Sequence, residues 1–394
     1  MFATAETPCK TDPMQFDTSL FPLRPAWAEI DLARLRRNLQ LVRRDLPQSV
    51  ELLAVVKDDA YGHGALDVAR VALSEGATFL GVSTLEEAMV LRESGVKGRI
   101  LLLGERQEAE LPWCVSYDLT VCVNEINTVQ HLGRVAAGFE KRVPVHLKID
   151  TGMSRYGVRW DEALPLIERI VAEPALELEG VMTHFAQSDE ADKTFARLQH
   201  ARFQEVVRSA EQRGIRIRYR HVCNSGGFLD LPEAHHEMVR VGILLYGVLP
   251  SLVCRRIEGI EPILSVKARI AAIQKLKPGD VVGYGMRYTA ATERRIAVLP
   301  IGYGDGFPRV RNQGCALIHG RRAPLVGGIA MDALMVDITE IPEAAMWDEA
   351  VLMGRQGTEE ITVREIAAMK NSVTYDVLTS WRLRLRRKCV NGVV

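Results

Sequence analysis

The chain has 394 residues, 47% hydrophobic and 25% charged, and its 50 basic and 50 acidic side chains cancel. That length exceeds one typical hydrophobic core and predicts two globular domains, while zero net charge argues against a surface built for nucleic acid or an anionic membrane. Seven cysteines without a Cys-x-x-Cys pair argue against a disulfide framework or a zinc site, and free thiols suit a reducing cytoplasm.

Residues 1–25 are polar, carry prolines and lack the basic start and apolar run of a secretory leader, so they read as a poorly ordered tail. No apolar run reaches 18 residues, which predicts no transmembrane helix. "AWAEIDLARLRRNLQLVRRDL" then reads as a strand followed by a helix. From about residue 50, eight short apolar runs follow, at 51–56, 78–82, 100–104, 118–123, 143–149, 178–185, 218–223 and 237–242. Such near-continuous runs suit strands covered on both faces. Amphipathic stretches separate them. "STLEEAMVLRESG" offers a capping box, Thr84 with Glu87, and a closing Gly95; a long helix ends at Gly214; those near 107–113 and 226–233 are short. Eight strands alternating with helices predict an α/β fold, a (β/α)8 barrel over 26–260, in which the strand near 27–31 is free to pair with the second domain. Beyond 260, short β-like runs broken by Pro-Gly-Asp, His-Gly and Gly-Gly predict a mostly antiparallel β domain over 261–394.

Active sites of such barrels gather at the C-terminal ends of the strands. Lys57 ends the first run, where desolvation favours the neutral, nucleophilic amine. Lys148, Asp150 and Arg155 follow the fifth run, His184 ends the sixth, Ser225 sits beside two glycines after the seventh, and Arg240 and Gly242 close the eighth. Each alone also fits a blander role: a solvated strand-end lysine, a satisfied core histidine, a surface ion pair, an ordinary turn. Together they mark one rim.

The blocks "AVVKDDAYGHG", "LKIDTGMSRYGV", "THFAQSDE", "CNSGG", "RVGILLYG", "GYGMRYTA", "LPIGYGDGF" and "AMDALMVDIT", in this order, resemble bacterial alanine racemase over residues 26–376. The resemblance implies a homodimer with shared active sites that uses pyridoxal 5'-phosphate and supplies D-alanine for peptidoglycan. It implies that Lys57 holds the cofactor covalently, that Tyr61, Ser225, Gly242, Ile243 and Tyr375 hold its phosphate, and that Arg240 faces its ring nitrogen. Tyr284 of the partner subunit is implied as the second catalytic base, with His184 near it. Arg155 and the Met331 backbone are implied to take the substrate carboxylate, with a carbamate on Lys148 bracing Arg155, and Asp332 and Tyr303 to shape the entrance.

Racemisation removes a proton from one face of a carbon and returns one to the other, which calls for two acid–base groups on opposite faces. An arginine cannot give up its proton at working pH, so at a ring nitrogen it limits electron withdrawal and discourages decarboxylation and transamination. The sequence departs from the usual family pattern at Asp58-Asp59, where Ala-Asn is common, at Gly328 and Ala330, and at a C-terminus without Arg-Val-Pro-Arg. Three other readings remain: a broad-specificity or serine-preferring racemase, a basic amino-acid decarboxylase of the same architecture, and a non-catalytic cofactor-binding protein. Arg240 and the absence of a matching cysteine block oppose the decarboxylase.

Overall fold

The computed structural model describes residues 24–392; of the expected tail, all but Arg24 and Pro25 lies outside the described residues. The chain opens with β1 (Ala26–Asp31) and a helix, Leu32–Arg44, whose first turn is capped by the Asp31 side chain accepting the Arg34 N–H. All eight expected runs are strands: β2 (Glu51–Val55), β3 (Phe79–Val82), β4 (Arg99–Leu102), β5 (Thr120–Val123), β6 (Val143–Asp150), then β8 (Leu176–Met182), β9 (Tyr219–His221) and β10 (Met238–Val241). A two-residue strand, β7 (Val158–Arg159), flanks β6. The eight pair in parallel in the order β10-β2-β3-β4-β5-β6-β8-β9. The remaining seam is drawn together by the Arg240 N–H donating to Cys223 O at 2.9 Å, so the sheet curls into a nearly closed barrel.

Alternation along these strands sorts the side chains into two sets. Leu52, Ala54, Leu80, Val121 and Val239 pack outward against the helices. Leu53, Phe79, Leu101, Cys122, Tyr219 and Met238 form a separate cluster inside the barrel. The helix Leu85–Glu93 carries the expected capping box of Thr84 and Glu87, and Gly95 follows it in a left-handed conformation. The helix Thr194–Gln212 stops before Gly214, also left-handed, while Leu111–Ser116 and Ser225–Asp230 are short, as read. No helix among the described residues is long and apolar enough to cross a membrane.

The second part is built from β11 (Leu264–Arg269), β12 (Ala272–Leu276), β13 (Val281–Val282), β14 (Tyr288–Thr289), β15 (Arg294–Leu299), β16 (Cys315–Ile318), β17 (Arg321–Pro324), β18 (Leu334–Asp337), β19 (Glu349–Gln356), β20 (Glu359–Ile361) and β21 (Arg386–Val390). Its main sheet runs β17-β16-β19-β11-β1-β21, with β20 on β19, and β12-β15-β18 form a smaller one. β1 stays out of the barrel: it pairs antiparallel with β11 and parallel with β21. The other pairings of this part are antiparallel.

Candidate active site

Lys57 follows β2 with one residue, Val56, between them, and the turn Lys57–Gly62 coils the wrong way. Asp58, Asp59, Ala60 and Tyr61 hold φ of 54°, 51°, 54° and 54°, one turn of left-handed helix. That conformation costs about 1–2 kcal/mol per L-residue, so the surroundings must impose it. The Asp58 N–H donates to Glu87 Oε1 at 2.5 Å, Asp59 Oδ1 accepts the Ala65 N–H at 2.8 Å at the start of the next helix, and Arg387 Nε donates to Gly62 O at 3.0 Å. Gly62 has φ +79°, and a Cβ there would lie 2.6 Å from Leu378 O. The turn brings the Tyr61 ring within 5.1 Å of Tyr246 and 6.1 Å of Tyr375. Burial first, then the Arg155 charge, lowers the Lys57 pKa below its ordinary value.

Across the rim, Arg240 is buried and its donors are almost all engaged. Nη1 donates to His221 O at 2.7 Å and lies 3.2 Å from His221 Nδ1. Nη2 donates to Thr183 O at 2.8 Å and Val222 O at 3.1 Å, with His184 Nδ1 at 3.2 Å. Only the Nε–H has no acceptor among the described residues. Burial lowers the Arg240 pKa to about 10, which leaves it charged at neutral pH. His184 is driven well below the ordinary histidine range, by burial first and then by Arg240, and is neutral. Lys148 is 8% exposed, and burial followed by Arg240 lowers it to about 7. Arg155 is exposed, near enough to act on Lys57, Lys148 and His184.

Beside them Ser225 Oγ accepts the Gly242 N–H at 3.1 Å, and a Cβ on Gly242 would lie 2.8 Å from the Tyr61 hydroxyl. The Tyr61 and Tyr375 hydroxyls and the Ile243 N–H have no hydrogen-bond partner among the described residues. Burial raises Tyr61 to about 12 and pushes Tyr375 up as well, so both are donors and not anions. Unpartnered donors converging around Ser225 and Gly242 form a cradle suited to a phosphate. Beside it stand a lysine with a lowered pKa and an unpaired Arg240 Nε–H, so the residues present fit pyridoxal phosphate.

Tyr284, Tyr303, Met331 and Asp332 form a different group. Tyr284 is 82% exposed on the turn Tyr284–Met286. The Tyr303 N–H donates to Ala330 O at 3.1 Å and the Gly304 N–H to Met331 O at 2.9 Å. The Met331 N–H itself finds no acceptor among the described residues. Asp332 pairs with Arg384, which also reaches the buried Asp305. No hydrogen bond or ion pair among the described residues ties these four to Lys57, His184 or Arg240.

Residues 30–250 match the family described as alanine racemase, N-terminal domain, and residues 263–389 match alanine racemase, C-terminal domain. The chain belongs to the alanine racemase family. An alanine racemase of Carboxydothermus hydrogenoformans is 40% identical over 93% of this chain and 99% of the relative. The solved alanine racemase of Clostridium difficile superposes with a TM-score of 0.89 at 34% identity, covering 94% of this chain and 97% of that one. A histidine racemase from Leuconostoc mesenteroides superposes at 0.87 with 28% identity, covering 94% of this chain and 99% of its own. Membership in the alanine racemase family makes the chain an isomerase and sets aside the decarboxylase and the non-catalytic reading. Several rim residues carried no sequence signal of a place at the site. Glu87 and Arg387 reach the lysine turn from distant elements, and Tyr246 packs beneath Tyr61. His221 had one unused clue: it shares the inward face of β9 with Tyr219, a polar residue where a barrel interior is usually filled by apolar side chains.

Proposed function

We propose that the chain interconverts L- and D-alanine with pyridoxal 5'-phosphate, in a homodimer whose active sites are shared. When bound, that group attaches the amino acid and draws electrons from its α-carbon. The chain's own residues do the rest. Tyr61, Ser225, Gly242, Ile243 and Tyr375 bind the phosphate with hydroxyls and backbone amides. Lys57, the point of attachment, has its basicity lowered by burial and carries a proton at Nζ on one face of the α-carbon. Tyr284 of the partner subunit carries the other; its exposure here fits a group completed by a second copy. His184, neutral beside Arg240, helps orient that second face. Arg155 and the free Met331 N–H take the substrate carboxylate, and Asp332 and Tyr303 border the entrance. Lys148 has the lowered pKa an amine needs to add to CO2: nitrogen bonds to carbon, an N–H proton leaves, and the resulting carbamate anion faces Arg155.

The observation that carries this reading is Arg240. A guanidinium locked by three carbonyls, with one N–H left over, donates a hydrogen bond to a ring nitrogen and does not surrender its proton. Electron withdrawal is thereby restrained, which favours returning a proton to the α-carbon over the competing losses. The reading places the enzyme in the cytoplasm, supplying D-alanine for peptidoglycan. Incubating the purified protein with L-alanine and pyridoxal phosphate should yield D-alanine by chiral chromatography, and borohydride should fix the cofactor to the peptide containing Lys57. Label on another lysine would overturn the site, and absence of D-alanine the activity. A second reading, a broader or serine-preferring substrate range, is favoured by the likeness to a histidine racemase and by the small Gly328 and Ala330; a panel of amino acids in the same assay separates the two.

A further inference from the structure

Arg240 is sealed in the barrel with no carboxylate among the described residues touching it, yet a chain of buried groups leads from it to one. Arg240 Nη1 faces His221 Nδ1 at 3.2 Å, His221 Nε2 faces His146 Nδ1 at 2.8 Å, and His146 Nε2 faces Glu179 Oε2 at 3.2 Å. The other Glu179 oxygen accepts from Arg99 on β4, near the opposite end of the barrel. Arg240, His221, His146 and Glu179 are all buried.

Two backbone features build this chain. β6 and β8 pair in register until Val145 meets Leu178, but the next pair is His146 with Gly180. Glu179 is therefore the extra residue of a β-bulge: Leu178 packs outward, so alternation turns Glu179 inward, and the bulge brings Gly180 opposite His146 as well. At the next position a Cβ on Gly180 would lie 2.9 Å from His146 Cε1 and Nδ1, so only glycine leaves room for the imidazole pair.

One ionised carboxylate settles every proton along the line. Burial opposes its charge, but hydrogen bonds from His146 and Arg99 outweigh burial and hold Glu179 down to about 2. An anion only accepts, so His146 Nε2 carries the proton and Nδ1 a lone pair. That lone pair must be met by an N–H on His221 Nε2, which leaves the His221 Nδ1 lone pair for Arg240. Burial lowers the pKa of both histidines, consistent with neutral rings. We propose that Glu179 is a positioning residue for Arg240, acting through two histidines whose tautomers it fixes. The tautomer pattern rests on the Arg99–Glu179 ion pair and the hydrogen bonds along the line; its consequence for catalysis rests on the role proposed for Arg240.

Glu179→Gln tests it at constant size. Arg99 takes the amide oxygen, which turns the NH2 toward His146 Nε2 and reverses both tautomers. His221 then presents an N–H to an Arg240 N–H, donor against donor. In wild-type holoenzyme labelled with ¹⁵N-histidine, His146 and His221 should both be neutral with the proton on Nε2; a proton on Nδ1 of either, or an imidazolium, overturns the proposal, whether or not the variant folds. In Glu179→Gln the transamination-to-racemisation ratio should rise about tenfold, the scale of one buried donor left unpaired, with KM for alanine little changed. A folded variant with the wild-type ratio overturns the positioning role. A wild type that racemises nothing would instead defeat the proposed function and leave the ¹⁵N result to decide the tautomers.

Discussion

At the scale of single residues, the left-handed turn after Lys57 is where local preference and tertiary demand conflict most. Asp58 is exposed, holds φ of 54° and lies beside Glu87, and burial followed by the Glu87 charge raises its pKa. Asp58→Gly removes about 1–2 kcal/mol of strain and adds back less than about 1 kcal/mol of unfolded-chain entropy. The variant should therefore be more stable by about 0.5–1 kcal/mol in urea unfolding, whereas Asp58→Val should be less stable than wild type, since a β-branched residue tolerates positive φ poorly. Gly242 is constrained by space and not by φ. Its Cβ would crowd the Tyr61 hydroxyl, so Gly242→Ala should weaken pyridoxal phosphate retention, measured by equilibrium dialysis, with little change in folding.

Among elements, the capping box at the start of helix Leu85–Glu93 serves two structures at once. Glu87 Oε2 accepts the Ser83 and Thr84 N–H groups at 2.8 and 3.2 Å, while Oε1 accepts the Asp58 N–H of the lysine turn. Thr84→Ala removes only one cap contact and should cost about 1 kcal/mol. Glu87→Ala leaves three backbone donors unmet and should cost about 2–3 kcal/mol and also loosen the lysine turn. Urea unfolding gives the first comparison, and cofactor retention should separate the two variants. β21 braces the same turn from the other side. Arg387 on it donates to Gly62 O and, at 2.7, 2.8 and 2.6 Å, to Arg382 O, Leu385 O and Trp381 O. The atypical C-terminus is thus tied to the lysine through backbone carbonyls, which do not depend on the side chains of the residues that bear them.

For the whole molecule, the role proposed for Tyr284 of the partner subunit tests the assembly. Lys57→Ala and Tyr284→Phe homodimers should each lose about 10²–10⁴ in rate. After subunit exchange, half of the dimers pair the two variants and hold one intact site in two, so activity should return to roughly a quarter of wild type. Mixed dimers confirmed by a mass tag but without recovered activity would refute shared sites. Acid sensitivity is a second property of the whole. Burial keeps His63, His146, His184, His221 and His236 below the ordinary range, to about 4 for His63 and His236. Such a group stays neutral in the fold but takes up a proton in the unfolded chain below about 6.5. Unfolding then binds protons, so stability is fully present above that pH and falls as pH drops toward 4, by up to about 1.4 kcal/mol per pH unit for each histidine. Urea midpoints between pH 7 and 4.5 should show this decline, and His63→Phe, which packs on Tyr246 without titrating, should reduce it.

The eight barrel strands, the second sheet system and the strand-end positions of Lys57, Lys148, His184 and Arg240 were all legible in the sequence. They rest on local periodicity, and parallel topology then carries every strand end to one rim. Only the tertiary structure decided the handedness of the lysine turn, because its restraints come from Glu87 and Arg387, and nothing in Asp-Asp-Ala-Tyr prefers positive φ. It also decided that Glu179 and Gly180 both meet His146, since a one-residue bulge breaks the alternation of β8. That no hydrogen bond among the described residues ties Tyr284 to Lys57 within one chain belongs to the same class. A linear sequence states which donors, acceptors and apolar faces exist, but hydrogen bonds between residues far apart in the chain select which of them meet.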